Sequence, residues 1–192
     1  KYFIVIMKGK LIVISAPSGA GKSTICDELL KRVDNIIFSI SVTTRPRRTN
    51  EIDGVDYFFI SEKEFKEMIE KNELLEWAKV HNNYYGTPKD FVIKNLEAGK
   101  DVLLDIDVQG AEQVRQKTND AIFIFIMAPS LEELERRLRN RKTDSEESIQ
   151  RRLANAKKEL EYKDKYDYII INDVVEKAVN EIIEIIKMNR KK

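Results

Sequence analysis

A glycine-rich stretch near the start of the chain carries residues that suit phosphate binding. It reads ISAPSGAGKST (14–24) and matches the pattern G-x-x-x-x-G-K-[ST] except at the first position, where Ala16 replaces glycine. In such loops the glycines let backbone N–H groups face phosphate oxygens, and the lysine reaches the β and γ phosphates. Alanine fits the strand-to-loop junction wherever φ stays negative. We therefore predict that ATP binds through Ala16, Pro17, Ser18, Gly19, Ala20, Gly21, Lys22, Ser23 and Thr24.

Oxygen ligands for a magnesium ion accompany this loop. The Ser23 hydroxyl follows the loop lysine, and Asp105 ends the apolar run DVLLD (101–105). Phosphoryl-transfer enzymes place an acid at the end of such a strand to hold Mg²⁺ directly or through water. We predict a Mg²⁺ site at Ser23 and Asp105. We also expect Asp107 on the same side of the strand, because alternate strand residues share a face.

Three arginines lie close together in SVTTRPRRTNEIDGVDYFF (41–59), at positions 45, 47 and 48, and Tyr57 follows them. The planar guanidinium group pairs with two phosphate oxygens at once, so the cluster is typical of an anion site. A solvated basic turn is the alternative. The whole chain has 34 basic and 33 acidic residues, which leaves a net charge of +1. A local cluster in so neutral a chain favours a second anion site.

Three side chains in ELLEWAKVHNNYYGTP (73–88) match the hydrogen-bonding edge of guanine, namely Glu76, Tyr85 and Thr87. Guanine presents two neighbouring donors, N1–H and N2–H₂, beside the O6 acceptor. A carboxylate accepts from both donors and a hydroxyl donates to O6, whereas adenine would set its N1 lone pair against the carboxylate. Such a mismatch can lower kcat/KM for the mismatched base by factors on the order of 10⁴ to 10⁵. The sequence thus favours a guanine nucleotide as the second ligand.

Alternating strand and helix patterns position these residues. Apolar runs at 10–15, 101–107, 121–127 and 166–171 predict parallel strands. Helices are predicted to follow the glycine-rich loop, to begin at Ser61 and Ser130, and to end the chain with Val175, Val179, Ile182 and Ile186 on one face. The stretch 39–85 breaks this rhythm and predicts an inserted subdomain. We expect an α/β fold, a mostly parallel central sheet covered on both faces, with ligands at the carboxyl ends of its strands.

Length and composition narrow the class of protein. The chain has 192 residues, of which 42% are hydrophobic, so we expect one domain with a buried core. Its neutral balance of charge argues against nucleic acid or membrane as a partner. A single cysteine, Cys26, permits no internal disulfide, and we expect a cytoplasmic protein. We interpret residues 1–6 as an N-terminal extension before Met7. The oligomeric state stays open, a homodimer included.

Seven ordered blocks resemble the guanylate kinase family over about residues 10–187. They are APSGAGKST, TTRPRR, EW at 76–77, NYYGTP, DIDVQG, RKTDSEESIQRR and IIIND. The resemblance implies a P-loop three-layer fold and Mg²⁺-dependent transfer of the ATP γ-phosphoryl group to GMP and dGMP, which gives ADP and the diphosphate. It also implies one domain over 7–192, with a core at 7–38, 96–130 and 156–192. A GMP-binding subdomain would span 39–95, and a mobile lid 131–155.

The resemblance also implies roles for single residues. Four would hold the GMP phosphate: Arg45, Arg48, Tyr57 and Tyr85. Others would read guanine or lie near GMP: Ser41, Glu76, Thr87 and Asp107. Asp105 would lie on the magnesium side, and Asn172 near the adenine. The catalytic group would comprise Lys22, Arg45 and the lid arginines Arg137, Arg141 and Arg152. The family usually has proline directly before its second arginine, whereas Arg47 stands there, so either Arg47 or Arg48 could be nearer the GMP phosphate.

Three other functions remain as alternatives. Related modules without catalysis bind proteins, but they generally lack a working phosphate loop and lid, and both are present here. A kinase of the same fold could use another phosphorylated acceptor, although the guanine-reading set opposes this. A GTP-driven switch would need the sequence Asn-Lys-x-Asp, which the chain does not contain.

Overall fold

Two sheets organise the protein, whose structure is a computed structural model that describes residues 9–80, 82–140 and 145–191. The strands, in chain order, are β1 (Leu11–Ser15), β2 (Ile36–Phe38), β3 (Val42–Thr43), β4 (Phe58–Phe59), β5 (Leu74–Val80), β6 (Asn83–Pro88), β7 (Asp101–Asp105), β8 (Ala121–Met127) and β9 (Tyr168–Ile171). The helices are α1 (Lys22–Arg32), α2 (Glu62–Glu70), α3 (Lys89–Glu97), α4 (Val108–Lys117), α5 (Leu131–Asn140), α6 (Glu146–Leu160) and α7 (Val175–Arg190), with a short 3₁₀ turn at Lys163–Lys165.

Within the described ranges, the central sheet has five strands in the order β2-β7-β1-β8-β9, all parallel. Its middle strand β1 is buried on both faces, which explains the continuous apolar run in its sequence. Ile12 and Ile14 share one core with residues of α1 and α7, while Leu11 and Val13 share another with residues of α3 and α4. Helices therefore cover both faces, and the predicted three-layer α/β fold is confirmed.

The second sheet, as far as the structure describes the chain, has four strands in the order β4-β3-β6-β5, and β5 and β6 pair antiparallel. Helix α2 packs on it through Phe65, whose ring stacks on Tyr84 with centroids 5.1 Å apart. Ser61 begins this helix as predicted: its hydroxyl accepts the Glu64 N–H, and the Glu64 carboxylate accepts the Ser61 N–H. The sheet supplies the strands that carry the proposed guanine-reading residues.

One expectation about local structure was wrong. The strand predicted over 101–107 ends at Asp105, so Asp107 shares no strand face with it. Asp107 instead caps α4, because its carboxylate accepts the Gly110 N–H at 2.7 Å in the first turn. Val179, Ile182 and Ile186 of the predicted stripe on α7 are buried, and Val175, the first residue of the helix, is 36% exposed. In the described part of the chain, no helix has the length and apolar character that crossing a bilayer would need.

Candidate active site

The phosphate loop, residues 16–21, connects β1 to the first turn of α1. Gly19 and Gly21 have φ values of 92° and 91°, in the left-handed region that favours glycine. A Cβ atom on Gly21 would lie 2.3 Å from Nδ2 of Asn172, so the position has no room for a side chain. Ala16, at the variant first position of the pattern, is buried beside the strand and has no positive φ. The alanine therefore leaves the turn intact.

Lys22, the first residue of α1, faces Asp105 at the end of the neighbouring strand β7, and the two side chains form an ion pair. Burial favours the neutral amine, but the Asp105 carboxylate outweighs this effect, so the pKa of Lys22 lies above its ordinary value. The ammonium group is therefore charged at neutral pH. It lines a cavity of about 330 Å³ together with the loop residues, Ser23 and Thr24.

Asn172 and Arg137 support the loop from behind. The Asn172 amide donates to the Ala20 carbonyl at 2.8 Å, and Arg137 donates to the Asn172 carbonyl at 2.8 Å. Glu133 on α5 accepts from Arg137 at 2.7 Å. A continuous chain of hydrogen bonds thus links α5 to the phosphate loop. Asn172 is buried against the loop, and Arg137 is connected to the loop through the Asn172 backbone.

Ser23 and Asp105 line one cavity of about 510 Å³ next to the loop. A hydroxyl and a carboxylate are hard oxygen ligands, and Mg²⁺ usually takes only one or two protein ligands besides waters and substrate phosphates. The donor set at this edge of the sheet therefore fits a magnesium ion that accompanies a nucleotide.

A third cavity, of about 620 Å³, opens between the two sheets. Five of the predicted acceptor-site residues line it: Ser41, Tyr57, Glu76, Tyr85 and Asp107. Ser18, Lys22 and Arg152 line the same cavity from the loop side and the lid side. The structure therefore brings the two halves of the predicted site together around one space, with Lys22 facing both.

Glu76 is the buried acid of this cavity, with only 5% of its surface exposed. Burial raises its pKa to about 7, although the Thr87 hydroxyl, which donates to Glu76 at 2.6 Å, acts in the opposite direction. The nearby Asp107 carboxylate adds to the rise, and Lys117 opposes it. Protonation of Glu76 can therefore change near neutral pH.

Thr87 lies beside Glu76, another residue predicted to read guanine. It faces Glu76 across the β5/β6 pair and is buried, and its hydroxyl group donates a hydrogen bond to the Glu76 carboxylate. In this arrangement Thr87 holds the acid in place.

Arg45 contacts the cavity wall, not the cavity itself. Its guanidinium carbon lies 5.6 Å from the ring centre of Tyr57, which in turn meets Tyr85 edge-on at 6.0 Å. The guanidinium forms a two-point ion pair with Glu51, at 2.7 and 3.1 Å. Glu51 also accepts the backbone N–H of Arg48 at 2.8 Å. The carboxylate therefore occupies the Arg45 fork in the way a phosphate would.

The other predicted arginines vary in their placement. Arg152 on α6 donates to the Ser18 hydroxyl at 3.2 Å and lines the larger cavity. Arg47 and Arg48 are both exposed, and neither lines it. Arg141 lies outside the described residues.

Sequence reasoning missed several residues at the site. One of them is Glu51, three residues after Arg48. An acidic residue so close to three arginines could have been predicted to pair with one of them. Glu159 on α6 lines the phosphate-loop cavity, and burial raises its pKa. Gly110 and Gln113 on α4 contact Glu76 and its neighbour Trp77, and no local pattern marks them.

Comparison with known proteins points to one family over nearly the whole chain. A family model for guanylate kinase matches residues 8–189. The guanylate kinase of Caldanaerobacter subterraneus subsp. tengcongensis is 55% identical over 179 residues, which cover 93% of this chain and 87% of that protein. The guanylate kinase of Thermotoga maritima is 50% identical, with 97% and 90% covered. A crystal structure of guanylate kinase from Anaplasma phagocytophilum matches with a TM-score of 0.79 at 35% identity, covering 96% of this chain and 87% of that one.

Proposed function

The chain belongs to the guanylate kinase family and catalyses ATP:GMP phosphoryl transfer, and we propose how its residues divide this reaction between donor and acceptor. The γ-phosphoryl group passes from ATP to a phosphate oxygen of GMP, which gives ADP and GDP. That oxygen is already anionic, so the reaction needs no strong general base. It needs two charged substrates held in line and water kept out.

The donor site is the phosphate loop with Lys22. Backbone N–H groups of Gly19 and Gly21 and the partial positive charge of the α1 N-terminus favour the ATP phosphates. Ser23 and Asp105 would hold Mg²⁺, which when bound neutralises charge on the β and γ phosphates. Lys22 lies between these groups and the acceptor cavity, and this position supports its contact with the transferred group.

The acceptor site is the cavity between the sheets, and buried Glu76 is the observation that carries the assignment. Its ionised carboxylate would accept from N1–H and N2–H₂ of guanine. Ser41 lines the same cavity and would contact the base with it, while Thr87 fixes the carboxylate. Arg45, Arg48, Tyr57 and Tyr85 would hold the GMP phosphate, and Asp107 would lie beside the nucleotide. Arg45 would exchange part of its Glu51 contact for phosphate oxygens.

The segment 131–155 would close the site as a lid, and the unit 39–95 would carry GMP toward the core 7–38, 96–130 and 156–192. Arg152 already reaches Ser18 of the loop, and Arg137 reaches the strand end behind it. Both contacts support a role for these arginines around the ATP phosphates, with Arg141 as a third. Closure would exclude water from the transferred group.

A panel of acceptors tests this proposal. ADP release is measured with ATP, Mg²⁺ and one of GMP, dGMP, IMP, AMP, CMP or UMP, and the purified Lys22→Met variant is the matched control. We expect GMP and dGMP to be used, and the other acceptors to be used far less. Equal use of AMP, or ADP release that does not depend on any acceptor, would contradict the assigned acceptor site.

A further inference from the structure

One face of helix α4 contacts the strand that carries Glu76. Gly110, Gln113 and Lys117 are three and then four residues apart, so they lie on the same side of the helix. Each meets a neighbouring part of β5: the Glu76 side chain, the Trp77 backbone, and the carbonyls of Leu74 and Leu75. The helix belongs to the central core, whereas β5 belongs to the second sheet. This face therefore joins the two sheets at the acceptor cavity.

Gly110 leaves the space that the Glu76 carboxylate occupies. A Cβ atom at this position would lie 2.5 Å from Oε2 and 3.1 Å from Cδ of Glu76, both well inside contact distance. The backbone of Gly110 is helical and has no positive φ, so alanine is otherwise compatible with the site. The clash involves the end of a side chain rather than backbone, so the carboxylate can move and the helix need not.

Gln113 fixes the backbone beside Glu76. Its side-chain carbonyl accepts the Trp77 N–H at 3.0 Å, and its amide donates to the Trp77 carbonyl at 2.6 Å. Strand β5 is at the edge of its sheet, so no other strand among the described residues pairs with this side of Trp77. The glutamine amide supplies both hydrogen bonds that a neighbouring strand would make. Gln113 therefore fixes the backbone of Trp77, the residue next to Glu76, relative to helix α4.

We propose that Gly110 and Gln113 are positioning residues that set the Glu76 carboxylate for the two donors of guanine. The inference rests on the proposed role of Glu76 as the guanine reader. Gly110 determines where the carboxylate lies, and Gln113 determines where its backbone lies. A carboxylate displaced toward the cavity can no longer accept N1–H and N2–H₂ in one plane. The preference for GMP over IMP, which lacks the N2 amine, reports directly on that geometry.

Gly110→Ala is the first test. We expect the ratio of kcat/KM for GMP to that for IMP to fall about tenfold or more, with most of the loss in the KM for GMP. The KM for ATP and the melting temperature should stay close to those of the parent, since alanine is favoured over glycine within a helix. In a Glu76→Ala background the same substitution should change neither acceptor, because the side chain it displaces is gone.

Gln113 is tested by two variants and a matched control. Gln113→Met keeps the length of the side chain but removes both hydrogen bonds, while Gln113→Glu keeps the acceptor and removes the donor. We expect both to lower the GMP to IMP ratio, methionine more than glutamate. Gln116→Met makes the same chemical change at an exposed position of α4 and should leave the ratio unchanged.

The outcomes separate this inference from the proposed function. If Glu76→Ala abolishes the GMP preference but Gly110→Ala and the Gln113 variants retain it, the positioning role is wrong and the guanine reader stands. If Glu76→Ala itself retains the preference, the guanine-reading assignment is wrong. Equal losses for GMP and ATP in Gly110→Ala, together with a lower melting temperature, would indicate general structural damage and overturn the inference. Should Gln113→Met fail to fold, Gly110→Ala still decides.

Discussion

Replacing Glu76 by glutamine tests the acceptor site through two independent measurements. The amide keeps the size of the side chain, and its oxygen can still accept a hydrogen bond from the Thr87 hydroxyl, but it cannot ionise. One measurement is the stability of the protein without nucleotides, and the other is its use of GMP. The substitution should increase the stability of the nucleotide-free protein at alkaline pH and reduce its use of GMP.

The stability effect follows from the pKa of the buried carboxyl group, which burial raises from 4.5 to about 7. A carboxyl whose pKa is higher in the folded state favours folding while it is protonated, so its contribution is full below about pH 4.5 and is lost as the pH rises through 7. At about 1.4 kcal/mol for each pH unit, the loss reaches about 3 kcal/mol at pH 8. Glutamine does not titrate, so the variant should equal the parent near pH 4.5 and exceed it by up to about 3 kcal/mol at pH 8.

The effect on GMP has the opposite sign. An ionised carboxylate accepts N1–H and N2–H₂, whereas the amide sets its own N–H donors against them. We expect kcat/KM for GMP to fall about 10²-fold or more, with the KM for ATP little changed. In the parent, kcat/KM for GMP should fall toward tenfold per pH unit below about 7, because the protonated carboxyl accepts only in part. Titration of the GMP phosphate affects the parent and the variant alike. The difference between their pH profiles of kcat/KM therefore reports the ionisation of Glu76.

Urea unfolding at pH 5 and pH 8, together with initial rates over the same range, makes both measurements. A difference in unfolding free energy that is the same at the two pH values would refute the raised pKa of Glu76. A variant that retains the GMP preference of the parent would refute the guanine-reading role, whatever the unfolding data show. Thr87→Val is a useful companion, since it keeps the shape of the residue and removes the hydroxyl that donates to Glu76.

Three further predictions concern the donor side and closure. Lys22→Met should reduce phosphoryl transfer about 10²-fold or more, measured by ADP release, with retained folding checked by circular dichroism. Gly21→Ala should cost about 1–2 kcal/mol in urea unfolding and raise the KM for ATP, because φ is 91° and Asn172 fills the space; unchanged values would contradict the loop geometry. Small-angle scattering should show a smaller radius of gyration with GMP and a non-hydrolysable ATP analogue than without; identical profiles would argue against closure.

The central sheet was largely predictable because its signals are local. Strands β1 and β8 are buried on both faces and read as apolar runs, and the glycine-rich loop marks the turn that follows β1. Asp107 shows where local reasoning fails. From the sequence, an acidic residue at this position could either continue the strand or cap the following helix. In the structure its carboxylate accepts the Gly110 N–H, so it caps the helix.

The candidate site also has a part that was predictable from local sequence and a part that was not. The residues of the phosphate loop follow one another in sequence, so their spacing alone predicts their neighbours. The supports of the acceptor cavity come from distant parts of the chain: Gln113 lies 36 residues from the Trp77 backbone that it holds. Amide groups that bind backbone leave no sequence pattern, because any segment offers the same N–H and carbonyl. Thr87 was recognised as a hydroxyl at the right place, but its partner Glu76 depends on the register of β5 and β6.

Two of the cations assigned to substrate phosphates already pair with a carboxylate: Lys22 pairs with Asp105, and Arg45 pairs with Glu51. Each pair fixes a long side chain before any nucleotide binds, so less conformational entropy is lost on binding. Each pair also cancels the charge that would attract isolated anions. A substrate must therefore offer more than one phosphate contact to bind: the base at Glu76 for GMP, or the loop amides for ATP. Orientation of these groups in advance, more than net positive charge, is what the chain provides for transfer between two polyanions.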